Sequence, residues 1–218
     1  MHCIITVADS SHFKHAEAIC NLMAEAASVR GTGIAQRDPN YICKKMEEGK
    51  SIIALDGEKP VGFCYIESWD GQKYVANSGL IVHPDYRNQG LAREIKQKTF
   101  ELSKKLFPNA ILFGITTSMA TMKINSDLGY KPVTFSELTK DEGFWNGCKS
   151  CKNYDILQRT NKTMCVCTGM KLDLSKVEQQ KSNSTWKAFL KFLKERKEKI
   201  KLNKSKFPKL NNYINHEK

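Results

Sequence analysis

Nowhere do the 218 residues reach the ~18 consecutive apolar positions that a membrane-spanning helix needs. The opening Met1-His2-Cys3-Ile4-Ile5 also lacks the basic, apolar, small-residue order of a secretory signal. These two absences lead us to expect a cytoplasmic protein. In that compartment the eight cysteines are expected to be reduced thiols or metal ligands rather than a disulfide framework. Three spaced glycines of a dinucleotide fingerprint are missing, and so is the Gly-Lys-Ser/Thr ending of a P-loop. Acidic residues are scarce past position 175, where 13 basic side chains meet 4 acidic ones, against 22 and 19 before it. The net charge of +12 therefore belongs mainly to the tail, which removes the first reason to read the globular part as a nucleic-acid binder.

A hydrophobic content of 40% over this length suits one well-buried domain with an appendage. Ile4–Val7 reads as a strand, followed by a helix with apolar positions Ala16, Ile19, Cys20, Met23 and Ala26. Asp38-Pro39 offers a capping side chain and a first-turn proline, predicting a short helix that stops near Gly49. Three strands follow around Asp56-Gly57 and Asp70-Gly71, an antiparallel meander whose last member runs to Val82 and carries a lone Gly79. A helix from Leu91 closes at Pro108. A strand over 110–116 is then parallel to its predecessor, because a helix crosses over between them. A second helix spans about Met119 to Leu128, and more strand comes after Gly129.

The chemical signal is Val82-His83-Pro84-Asp85-Tyr86-Arg87-Asn88-Gln89-Gly90-Leu91-Ala92, a strand end, a tight loop and a helix start. The first N–H groups of a helix have no partner in the helix, and its dipole favours an anion there, so the segment suits a pyrophosphate. Gly90 lets a ligand approach the backbone, and Arg87 adds a cation. On pattern alone an ordinary strand-to-helix turn is the alternative.

The order arginine, two residues, glycine, one residue, then alanine, after an apolar strand end with Val-x-Pro, resembles the acetyl-CoA loop of the GNAT superfamily of N-acetyltransferases. The likeness covers roughly Ile4 to Val133. It implies a mixed, mostly antiparallel sheet flanked by helices and splayed between its fourth and fifth strands. It further implies that the amides of Arg87, Asn88, Gln89, Gly90, Leu91 and Ala92 hold the CoA pyrophosphate. Ile81 and Val82 would lie along the pantetheine arm, and the Leu80 amide would face the thioester oxygen, where one N–H stabilises a developing oxyanion.

Acetyl transfer also needs groups that move protons. The family commonly places a tyrosine four residues before a Gly-aromatic pair to protonate the thiolate. Here the pair is Gly129-Tyr130 and the position holds Asn125, whose amide can contact the cofactor sulfur but does not titrate near neutral pH. Ser126 and Tyr130 are the stand-ins. Glu67 is the candidate base and acceptor contact, with an ordinary exposed strand carboxylate as the alternative reading. Thr116, Thr117 and Ser118, at the carboxyl end of the fifth strand, are candidates for the acceptor's polar groups, or else cap the next helix.

Cys148 and Cys151, then Cys165 and Cys167, form two close pairs 13 residues apart. Such pairs can complete a structural zinc site, while buried strand cysteines and redox thiols remain the alternatives. The expected organisation is a catalytic core over 1–140, a cysteine-rich extension over 141–175 that completes or covers the sheet, and a basic helical tail over 176–218. The tail carries Trp186, Phe189, Leu190, Leu193 and Ile200 at helical spacing. Docking on the body or on a second copy in a homodimer is its plainer reading, and contact with nucleic acid or an anionic membrane the sharper one.

The expected activity is transfer of acetyl from acetyl-CoA to the primary amine of a small molecule such as an amino acid, glutamate being one possibility. The rival is a non-catalytic acyl-CoA-binding regulatory module.

Overall fold

A computed structural model of the chain describes residues 3–30 and 37–177. The chain divides into two compact units, Met1–Ser175 and Lys176–Lys218, and the first holds everything below. The apolar tail positions 186–200 lie outside the described residues. Among the described residues no helix is long and apolar enough to cross a membrane.

Seven strands form one sheet in the order β1-β2-β3-β4-β5-β7-β6. They are β1 (Ile4–Val7), β2 (Ser51–Asp56), β3 (Lys59–Trp69), β4 (Tyr74–Val82), β5 (Ile111–Thr116), β6 (Lys131–Val133) and β7 (Thr168–Asp173). Every neighbouring pair is antiparallel except β4–β5. That parallel pair is joined only over Tyr74–Ala76 and Ile111–Phe113, so beyond Ala76 the two strands part, as the splayed sheet expected from the sequence requires. The chain returns late to the sheet, with β7 inserted between β5 and β6.

Helices cover both faces. α1 (Ala16–Arg30) and α2 (Pro39–Glu47) bury Ile19, Met23, Ile42 and Met46 against Ile53, Phe63 and Ile81. α2 starts where the sequence predicts, with the Asp38 carboxylate accepting the Asn40 N–H at 2.8 Å and Pro39 at the first helical position. On the other face α3 (Leu91–Leu106) sets Leu91 and Ile95 on Ala54, Val61, Cys64 and Val82. Each fully buried side chain of this size contributes roughly 1.5–3 kcal/mol. α4 (Met119–Asp127) follows β5, and α5 (Glu142–Asn146) and α6 (Tyr154–Arg159) lie in the segment before β7. A separate aromatic cluster anchors that segment. Phe144 meets Phe113 edge-to-face at 4.7 Å between centroids and Trp69 at 5.3 Å, while the Trp145 indole N–H donates to the Thr139 carbonyl at 2.9 Å.

Candidate active site

In the loop between β4 and α3, the start of α3 is set by backbone geometry rather than a side-chain cap. Gly90 is the N-cap of α3 with φ of +88°, and it offers no side-chain acceptor to the leading N–H groups of the helix. A Cβ at Gly90 would meet nothing within 4 Å, so the space beside this backbone is open. The rest of the loop is pinned. The Tyr86 hydroxyl donates to Asp56 at 2.6 Å, and Arg87 Nε donates to the Val82 carbonyl at 3.1 Å. Arg87 thus ties the loop to the strand end, while the helix start, with its dipole, is left for an anion.

β4 is irregular just before that loop. Its register with β3 pairs Tyr65 with Ser78 and Phe63 with Ile81, so Gly79 and Leu80 both fall opposite Cys64. This is a bulge, and Gly79 adopts φ of +64° within it. A Cβ on Gly79 would stand 2.4 Å from Cε1 of Tyr65 and 2.9 Å from Cε of Met23. Both the left-handed backbone and the close approach demand glycine here. The bulge takes Leu80 out of the ladder beside the widening gap between β4 and β5.

A cavity of about 550 Å³ opens at this point, lined on the sheet by Glu67, Ser78, Gly79 and Leu80. Tyr65 lines it from the sheet as well, Thr116, Thr117 and Ser118 from the end of β5, and Arg37 and Tyr41 from the start of α2. Ser118 is also the N-cap of α4, its hydroxyl accepting the Thr121 N–H at 3.3 Å. The capping and cavity-lining readings of that residue therefore hold together.

Glu67 is no exposed strand carboxylate. Its side chain is only 17% exposed, Tyr41 donates its hydroxyl hydrogen to it, and Lys45 Nζ lies 2.9 Å away. Burial pushes the Glu67 carboxyl up to about 7, with the Arg37 guanidinium pulling it back. The Lys45 ammonium that pairs with it is itself lowered by burial. Arg37 donates through Nε to the Tyr65 hydroxyl at 2.7 Å, and its guanidinium lies 5.6 Å and 5.9 Å from the Tyr41 and Tyr65 ring centres.

The three candidates for protonating a thiolate are not among the residues lining this cavity. Asn125 is buried, its amide nitrogen 3.7 Å from the Met170 sulfur and its carbonyl oxygen without a partner. Ser126 is exposed on α4. Tyr130 is buried with Lys96 Nζ 5.4 Å from its ring centre; its hydroxyl donates to Asn77 Oδ1 at 3.4 Å, and burial raises its pKa.

Cys148, Cys151, Cys165 and Cys167 are all free thiols, and all four line the far wall of the same cavity. The Met164–Cys167 run is irregular rather than strand, because β7 begins only at Thr168, opposite Thr116. Among the described residues no group of three or more His, Cys, Asp or Glu side chains stands ready to hold a metal ion, so the zinc site expected from spacing is not preformed.

Sequence reasoning missed Arg37, Tyr41, Lys45 and Tyr65. The signal available was the i, i+4 spacing of Tyr41 and Lys45 on the helix begun by Asp38-Pro39, which puts both on one face.

Residues 16–118 match the acetyltransferase (GNAT) family. The thialysine N-epsilon-acetyltransferase of Caenorhabditis elegans is 28% identical over 138 residues, covering 60% of this chain and 83% of that protein. Among solved structures, an N-acetylglutamate synthase from Neisseria gonorrhoeae, complexed with coenzyme A and N-acetyl-glutamate, superposes with a TM-score of 0.56 at 13% identity. The match covers 80% of this chain but only 35% of that one. A putative acetyltransferase from Salmonella typhimurium with acetyl-CoA gives a TM-score of 0.55 at 15% identity, over 80% of this chain and 95% of the other. At these identities the structural likeness concerns the fold.

Proposed function

We propose that this chain, an acetyl-CoA-dependent N-acetyltransferase of the GNAT family, acetylates the primary amine of a small amino acid whose carboxylate is held by Arg37. The observation that carries the reading is a single cavity with a guanidinium on one wall and a buried, raised carboxyl on the floor, beside the bulged strand at Leu80. A planar guanidinium recognises a carboxylate through two parallel hydrogen bonds. The curated relative named for a lysine analogue and the fold neighbour crystallised with an acetylated amino acid point in the same direction.

The loop amides from Arg87 to Ala92, with open space beside Gly90, fit a pyrophosphate, and the gap between β4 and β5 fits an extended pantetheine arm along Leu80, Ile81 and Val82. Acetyl-CoA when bound supplies the thioester carbonyl. Glu67 receives the proton that the amine gives up as its nitrogen bonds to that carbon and the carbon–sulfur bond breaks. Tyr41 and Lys45 hold the Glu67 carboxylate in place. The Leu80 N–H stabilises the charge that develops on the carbonyl oxygen. Thr116 and Ser118 offer hydroxyls to the acceptor from the end of β5. A thiol titrates at about 8.5, so the thiolate departs as an anion without an acid from α4, where Asn125 stands. Asn125 and Ser126 then serve at most as hydrogen-bond donors.

CoA release across a panel of amines tests this. Turnover of free amino acids with side-chain amines, and little of the matching amines without a carboxylate, is the expected result. Tight acetyl-CoA binding with no turnover on any amine would instead leave a non-catalytic acyl-CoA-binding module.

A further inference from the structure

We infer that the end of the cavity remote from Arg37 is a subsite for an apolar acyl group, so that the acceptor is an amine-bearing amino acid whose α-nitrogen is acylated rather than free. This deepens the proposed function and rests on it for the carboxylate held at Arg37.

Tyr65, Glu67 and Trp69 alternate along β3, so their side chains share one face and floor the cavity for roughly 13 Å at ~3.3 Å per residue. The chemistry occupies one end of that floor. Arg37 donates to the Tyr65 hydroxyl, and Leu80 falls opposite Cys64, the neighbour of Tyr65. Trp69 marks the other end, where β4 and β5 are still paired. Its indole stacks on Phe113 at 5.8 Å between ring centres, and Phe144 stands edge-on to it at 5.3 Å. Phe135, Tyr154 and Leu157 extend this apolar wall from the segment between β6 and β7.

Charge is divided the same way. Among the described residues the charged side chains lining the cavity are Arg37, Asp38 and Glu67, and none comes from the stretch 135–167. The thiols of Cys148, Cys151, Cys165 and Cys167 in that wall are free, and a free thiol packs as a small hydrophobe. The cavity volume of about 550 Å³ falls among those that enclose a drug-sized ligand, roughly 300–1,000 Å³. A free amino acid spanning Arg37 and Leu80 leaves the Trp69 end unfilled, whereas an apolar group there exchanges water for an aromatic wall.

One polar group stands in this wall. Asn153 precedes α6, yet its side chain makes no capping bond to that helix. Its amide nitrogen is instead buried without a partner where the residue lines the cavity. A buried donor left unpaired is costly, and a carbonyl oxygen on the ligand satisfies it. An amide carbonyl is also what joins an apolar group to the α-nitrogen of an amino acid. An α-ammonium offers Asn153 no acceptor and meets no carboxylate on the 135–167 wall.

The test compares kcat/KM for lysine, Nα-acetyl-lysine and Nα-benzoyl-lysine in wild type and Asn153→Ala. The benzoyl compound should exceed the acetyl compound by about tenfold or more through burial of its ring, with lysine the poorest of the three. Asn153→Ala should lower both acylated substrates by about fivefold and leave lysine unchanged, whereas a merely structural effect lowers all three. A benzoyl compound no better than the acetyl one, a preference for free lysine, or an equal loss on all three in the variant overturns the inference. Nα-benzoyl-norleucine and Nα-acetyl-norleucine have no amine to acetylate and carry the same comparison as Kd by calorimetry. Binding about tenfold tighter for the benzoyl compound, in a chain that acetylates none of the three lysines, upholds the subsite while sinking the proposed function. Equal Kd values sink the subsite alone.

Discussion

The Lys45 ammonium stands 2.9 Å from a carboxylate oxygen of Glu67, and both side chains are largely withdrawn from water at 10% and 17% exposure. Two opposing influences meet at that carboxyl, burial raising its pKa and the Arg37 guanidinium lowering it. A base must be deprotonated to act, so kcat/KM for the amine is expected to rise with pH through about 7. Glu67→Gln should cost about 100-fold or more in kcat and flatten that limb. Lys45→Met removes a cation and should move the inflection to higher pH. A pH–rate profile of the three proteins checks all of this.

The same carboxyl makes a separate prediction for stability. Its pKa in the folded chain lies above the unfolded value, so the native state binds the proton more tightly. The stability it contributes is present below the ordinary carboxylate range and is lost as pH rises through about 7. Glu67→Gln, neutral throughout, should show a smaller fall in Tm between pH 5 and 7.5 than wild type, measurable by thermal melts in the absence of acetyl-CoA.

Gly79→Ala should be damaging out of proportion to its size. The left-handed φ of +64° and the 2.4 Å approach to Tyr65 combine to cost about 2–4 kcal/mol. Relaxation would shift Leu80, so kcat should fall along with stability. Gly90→Ala separates the two effects, because its Cβ meets nothing and only the backbone cost of about 1–2 kcal/mol applies. There the acetyl-CoA Kd should rise by about tenfold or more through disturbed loop amides, with a small drop in Tm. Calorimetry with acetyl-CoA distinguishes these outcomes.

Tyr130→Phe is expected to change kcat by less than about threefold, because the hydroxyl is buried on Asn77 at 3.4 Å, away from the cavity lining. A loss of about 100-fold would restore Tyr130 as the acid.

Much of this was legible in the sequence wherever the information is local. Asp38-Pro39 marked the start of α2, the lone Gly79 an irregular point in its strand, and Leu80–Ala92 the strand, loop and helix start, because capping, turn and glycine chemistry act within a few residues. What escaped is long-range. Glu67 could be picked as a carboxylate on β3, but its pairing with Lys45 and Tyr41, more than 20 positions earlier, exists only once α2 packs on the sheet. Arg37 carries no periodic signal at all. The insertion of β7 between β5 and β6 is likewise set by register rather than chain order, and it explains why alternation in Met164–Cys167 looked like strand but ends where Thr168 pairs with Thr116.

The central claim is that one cavity reads a carboxylate with Arg37 and presents an amine to the acetyl group. It is tested most directly by CoA release from lysine and from cadaverine, its counterpart without a carboxylate, in wild type and Arg37→Ala. Wild type should favour the amino acid by at least about tenfold in kcat/KM, and Arg37→Ala should lose about 10- to 100-fold on the amino acid and little on the diamine. Equal rates on both amines in wild type, or an equal loss on both in the variant, would contradict it.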